Sequence, residues 1–207
     1  MNARLALHRL ARDQRGATLT EFGFVLVPLC LVLLGSLDVG YQAYVRSVAQ
    51  GALNEVSRRA AVEDPVFGGA GDTVEEQIAE ELEERVDEIA RNATYDIQTT
   101  NFYEFSGVGD AEKLTTDHNE NGEYDEDDED CFEDFNENGE FDEDGGDEGV
   151  GGADDVANYV ATITMPRLFP MAALFGFSDN YTIVARASVR NQPYADQDVP
   201  PTVCGNS

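Results

Sequence analysis

Two short stretches hold most of the side chains with recognisable chemistry. DHNENGEYD, from Asp117 to Asp125, and DFNENGEFD, from Asp134 to Asp142, share the pattern D-x-N-x-N-G-E-[YF]-D. Alternate positions carry oxygen: Asp117, Asn119, Asn121 and Asp125 in the first copy, Asp134, Asn136, Asn138 and Asp142 in the second. Gly122 and Gly139 stand where the chain must turn sharply, and Glu123 and Glu140 follow with backbone carbonyls to offer. Oxygens on alternate residues around a tight turn converge on one point. That suits a hard cation that takes about 6–8 oxygen ligands, so one or two calcium ions are expected.

The spacing is that of the first nine positions of an EF-hand-type calcium loop. At position 12 the copies differ. The first has Asp128, shorter than the usual Glu. The second has Gly145, which leaves Glu143, Asp144, Asp147 or water to substitute. No pair of long helices flanks them, so they resemble bare calcium loops of thrombospondin or dockerin type. His118 falls at a non-ligand position. The competing reading is an acidic, solubilising disordered run, which composition alone favours. Disorder, however, requires neither a repeated Gly nor Asn at two fixed places per copy.

Composition narrows the function. The 207 residues include 42 acidic and 13 basic ones, a formal charge of -29. Nucleic-acid partners are not expected, because phosphate binding needs clustered Lys and Arg. A nucleophile elbow, a His-centred triad, a zinc signature and a phosphate loop are all missing from the sequence, so an enzyme is not expected.

The elements around the loops begin with an anchor. Arg4, Arg9, Arg12 and Arg15 precede residues 22–37, an uncharged apolar run extendable back to Ala17 at the cost of placing Glu21 near one membrane face. The positive flank keeps the N-terminus cytoplasmic and sends the rest outward. A cleaved signal peptide is the rival, but no good A-x-A site follows Leu34. Pro28 implies a gentle kink. Beyond Asp38, Tyr41, Val45, Val48, Ala49, Ala52, Leu53, Val56 and Ala60 share a helix face. One helix over about 18–62 is expected, against a break near Gly35 or Gly40. A second helix starts at Asp72-Thr73, with a stripe of Val74, Ile78, Leu82, Val86 and Ile89 and the pairs Glu81–Arg85 and Asp87–Arg91. Strands are expected over 93–105, 158–165 and 181–190. The connection 166–177 is strongly apolar, fit to cover the sheet, touch a membrane or meet a partner.

The fold class is therefore α+β: a long N-terminal transmembrane helix, a second amphipathic helix, a small antiparallel sheet and an acidic calcium-loop insert. The domain plan is a basic leader at 1–16, membrane and stalk helix at 17–62, head at 63–109, insert at 110–155 and the rest of the head at 156–207.

RGATLTEF places Gly16 five residues before Glu21, with Phe22 next and the apolar run after it. With the following residues to about Ala61, this resembles the N-terminal region of TadE-like minor pseudopilins of Tad/Flp (tight adherence) pilus systems. The resemblance implies a leader cleaved after Gly16 by a prepilin peptidase, with Ala17 as the mature N-terminus. It implies that Glu21 pairs with the α-amine of a neighbouring subunit. It also implies other Tad pilins and an inner-membrane assembly platform as partners, a single-pass inner-membrane location and a periplasmic or extracellular head. An exported head would sit in an oxidising compartment, where Cys131 and Cys204 form the parsimonious disulfide while Cys30 packs in the membrane run. The second functional reading is a membrane-anchored calcium-dependent adhesin.

Overall fold

The computed structural model describes residues 15–69, 71–169, 176 and 178–205. The expected leader over 1–14 and most of the apolar connection over 170–177 lie outside the described residues, as do the side chains of Gly16 and Ala17. The chain is α+β. Helix α1 spans Arg15–Ala60 without interruption, through Pro28 and the glycines at 35 and 40. An added Cβ at either glycine would meet nothing, so neither marks a close approach. Helix α2 spans Val74–Asp87. Among the described residues seven strands follow: β1 Thr94–Phe102, β2 Leu114–Thr116, β3 Cys131–Glu133, β4 Asp147–Glu148, β5 Val156–Pro166, β6 Asn180–Arg190 and β7 Thr202–Cys204.

The structure divides into two compact units. The first holds the described residues of α1 up to Ala43 together with Arg167–Asp179. Here the apolar side chains face outward. Phe24 is 84 % exposed, and Val25, Leu33, Leu37 and Val39 are all more than half exposed. An outward apolar surface on a helix this long is what hydrocarbon, rather than water, stabilises. Among the described residues, α1 is the one helix long and apolar enough to cross a membrane.

The second unit comprises Tyr44–Pro166 and Asn180–Ser207. Its main sheet is antiparallel throughout, in the order β4-β1-β5-β6. The alternation read from the sequence sets the buried face. Tyr159, Ala161, Ile163 and Met165 of β5 are buried, with Tyr181, Ile183 and Ala185 of β6 in register beside them. Val45, Ala49, Leu53 and Val56 of α1 and Ile78, Leu82 and Val86 of α2 complete the core. Burying each large aliphatic side chain contributes about 1.5–3 kcal/mol. Arg59–Glu81 and Arg85–Glu55 ion pairs join the two helices. Gln50 of α1 meets the open side of β6: its Nε2 donates to Arg186 O at 2.7 Å and its Oε1 accepts from Arg186 N at 3.4 Å.

The second helix starts as its capping residues dictate. Thr73 Oγ1 accepts from Glu76 N, and Asp72 N donates back to Glu76. It ends earlier than expected, at Asp87, so Ile89 lies outside it and Ala90 is buried instead. The Glu81–Arg85 pair forms, whereas Asp87 accepts from the Tyr95 hydroxyl at 2.7 Å. The first strand stops at Phe102, because Phe105 opens a 3-10 turn. The sheet expected to have three strands has a fourth, β4, held by Asn101 Nδ2, which donates to the carbonyls of Asp147, Glu148 and Gly149. The acidic insert contributes β2 and β3 to a second antiparallel sheet, in the order β2-β3-β7.

Candidate functional site

The two repeated loops fold alike because their local chemistry is the same. Position 6 has positive φ in both, Gly122 at 81° and Gly139 at 80°, which glycine adopts without strain. Position 4 is left-handed as well, Glu120 and Glu137 each at 57°. Asp117 Oδ2 accepts from Gly122 N at 2.8 Å, and Asp134 Oδ2 accepts from Gly139 N at the same distance. Asn119 and Asn121 each accept from the N–H two residues on, as do Asn136 and Asn138. These side-chain turns satisfy the bent backbone.

The functional atoms then converge. Asn119 Nδ2 and Asn121 Nδ2 both donate to Asp125 Oδ2, at 2.9 and 2.7 Å. Asn136 Nδ2 and Asn138 Nδ2 do the same to Asp142 Oδ2, at 2.9 and 2.7 Å. Asp128 joins the first cluster, accepting from Asn119 Nδ2 at 2.6 Å. Positions 3, 5 and 9 thus meet at one focus in each loop, with position 12 added in the first. Asp117 Oδ1 is buried and has no hydrogen-bond partner. Among the described residues, no three His, Cys, Asp or Glu side chains are grouped closely enough to hold a metal ion on their own. Asparagine amides occupy two of the converging positions.

Position 12 of the second loop is closed for a steric reason. A Cβ on Gly145 would approach Glu112 Cγ to 2.9 Å. Asp147, a candidate substitute ligand, lies in β4 opposite Asn101. His118 contributes its backbone N–H, and its ring is half exposed, 3.5 Å from Asp130.

Two residues that sequence reasoning passed over shape the site. Asp130, fully buried, accepts from His118 N at 2.8 Å and from Asp125 N at 3.1 Å, positions 2 and 9 of the first loop. Glu112, also buried, accepts from Phe135 N at 2.9 Å and Asp142 N at 3.1 Å, the same two positions of the second loop. Each loop is therefore closed by one carboxylate spanning the same pair of amides. The only hint in the sequence was an acid beside each copy, hidden among many. The His118 amide holds the Asp130 carboxyl below its ordinary range, against the opposing effect of burial. Burial pushes Glu112 up, although the amides of Asp142 and Phe135 pull the other way. The signs differ accordingly. The contribution of Asp130 is present above the ordinary Asp range and is lost as pH falls through its lowered value. That of Glu112 is present below the ordinary Glu range and is lost as pH rises through its raised one. Glu112→Gln replaces one acceptor by an NH2 facing an amide, and should cost about 1–3 kcal/mol in a urea melt. An unchanged midpoint would remove Glu112 from this role.

The loops are also tied to each other. Tyr124 and Phe141, both at position 8, stack at 4.7 Å, and the Phe132 ring meets each edge-on at 5.1 and 5.4 Å. Cys131 and Cys204 are joined by a disulfide, with β7 paired to β3. Asp134 N donates to Pro201 O and Gly205 N to Asp130 O, so the C-terminal segment touches both loops.

At the other end of the chain, Gly16 and Ala17 lie in the first turn of α1, and Glu21 and Phe22 are exposed on it. Cys30 is a free, exposed thiol on the same helix. No curated protein and no solved structure matches the chain significantly. The family model of TadE-like proteins matches residues 16–58, which contain Gly16, Glu21, the outward-facing apolar run and the start of the buried face of α1. That match bears out the resemblance read from RGATLTEF and the helix behind it, over residues 16–58.

Proposed function

We propose that this chain is a minor pseudopilin of a bacterial Tad/Flp-type pilus machine, anchored in the inner membrane by α1, with an exported head that binds calcium. The observation that carries the reading is the coincidence of the TadE-like match with the exposed apolar part of α1. Gly16 would mark the cut of a prepilin peptidase, and Ala17 would carry the new α-amine. Glu21, exposed at the start of the apolar run, would face the α-amine of a neighbouring subunit. A carboxylate at the edge of hydrocarbon is costly without an opposite charge.

The donor set of the loops fits a hard cation. Asp117, Asn119, Asn121, Asp125 and Asp128 would hold one ion, with the Glu123 carbonyl. Asp134, Asn136, Asn138 and Asp142 would hold a second, with the Glu140 carbonyl. The unpartnered Asp117 Oδ1 supports this, as does the convergence of the Asn119 and Asn121 side chains on Asp125 and of Asn136 and Asn138 on Asp142. Bound calcium would supply double positive charge at a focus of carboxylates that otherwise repel one another. Asp130 and Glu112 would hold the backbone of each loop in shape from behind.

The processing test is direct. Co-expressed with a cognate prepilin peptidase, the chain should lose its first 16 residues, and mass spectrometry should find Ala17 at the N-terminus. Gly16→Ala should leave the chain at full length. A wild-type chain that stays uncut in the presence of active peptidase would sink the pseudopilin reading.

A further inference from the structure

We propose that the start of the connection between β5 and β6, at Leu168 and Phe169, is a second membrane contact, seated in the interfacial layer of the bilayer that α1 spans. The inference rests on the reading of α1 as a membrane span. Asp38 is the first charge after the uncharged run of residues 22–37, about 24 Å of helix, so it marks the outer limit of hydrocarbon. It is only 6 % exposed. Arg167 Nη1 donates to Asp38 Oδ2 at 3.1 Å, and Phe169 N donates to Asp38 Oδ1 at 3.3 Å. The same arginine pinches the connection shut: its Nε donates to Ser178 O at 2.7 Å and its backbone N to Asp179 O at 2.8 Å. The base of the connection is thereby fixed at the level where α1 leaves the apolar layer.

What lies beyond that base is apolar. Residues 168–177 read LFPMAALFGF and carry no charge in a chain with 42 acids. Leu168 is 51 % exposed. The connection belongs to the same compact unit as the apolar half of α1, whose Leu33, Leu37 and Val39 are likewise outward. Leu168 is exposed at this level and uncharged residues follow it in sequence, so the bilayer is the occupant that covers both it and α1. The Arg167–Asp38 pair has a reason in this setting. A lone carboxylate at the edge of hydrocarbon is expensive, and a guanidinium with an amide N–H offsets that cost.

The chain has no tryptophan, so Leu168→Trp gives a single fluorophore. The full-length variant is reconstituted in phosphatidylcholine vesicles with and without brominated acyl chains. The expected result is a blue-shifted emission that brominated lipid quenches strongly, more by bromines near the headgroups than by deep ones. That pattern corresponds to insertion of about 5–10 Å. Adding Arg167→Gln should weaken the quenching by releasing the base. Leu33→Trp, in the apolar run, serves as the reference. If the reference is quenched and the indole at position 168 is not, the proposal is overturned while the anchor stands. Emission that is blue-shifted but unquenched places the indole against protein, within the chain or on a second copy, and overturns it equally. If neither indole is quenched, the span itself fails and the proposal falls with it.

Discussion

Reducing the Cys131–Cys204 disulfide is expected to destabilise the second unit by about 4 kcal/mol, the loop-closure value for a sequence separation of 73 residues. The effect should exceed that of most single side-chain changes because the bond fastens more than two cysteines. Strand β7 pairs with β3 through Val203–Phe132 and Thr202–Glu133 as well. The carbonyl of Asp130 and the amide of Asp134, one belonging to each loop region, are both engaged by the tail. The tail also packs closely on the turn before Asp130, since a Cβ on Gly205 would lie 2.4 Å from Glu126 O. Urea unfolding of the full chain in detergent, with and without reductant, measures the loss. Cys204→Ser should reproduce it and Cys30→Ser should not, because Cys30 is unpaired. Equal midpoints with and without reductant would contradict the proposed bracing.

The second large effect is calcium-dependent stability. Loops of this type in extracellular modules bind at about 10⁻⁴–10⁻³ M, so 10 mM calcium should add about 1–3 kcal/mol per ion. The melting temperature should rise over that in chelator, and titration calorimetry should resolve one or two sites. The first loop, with Asp128 at position 12, should be the tighter. Asp117→Asn and Asp134→Asn are the informative variants. Each keeps an oxygen that can accept from Gly122 N or Gly139 N but removes one negative charge, so the metal-free fold should hold while the calcium response of that loop drops. Identical melts in calcium and chelator, with no heat of binding, would eliminate the cation and leave a purely hydrogen-bonded repeat.

The parts of this molecule that could be read in advance are those set by neighbours in sequence. Glycine at a fixed place, asparagines two residues before a needed acceptor and an apolar stripe at helical spacing act locally. The loop conformations, α1 and the start of α2 were accordingly legible. The two closing carboxylates were not. Asp130 reaches back 12 residues to His118, and Glu112 reaches forward 30 residues to Asp142, and only the tertiary fold brings these together. Strands β2, β3 and β7 have three residues each, too few to show alternation. The two-residue β4 depends on Asn101, not on strand propensity. The partner of Asp87 was misjudged because the Tyr95 hydroxyl, from the next strand, donates to it in place of Arg91.

Each margin of the main sheet is interrupted at one place. On one side Gln50 occupies the amide and carbonyl of Arg186 that an incoming chain would need. On the other, the outermost element is just Asp147 and Glu148, two exposed acids. A neighbouring copy would therefore meet an interrupted ladder at these two places. Such interruptions work against amyloid-like, edge-to-edge stacking of one copy on the next.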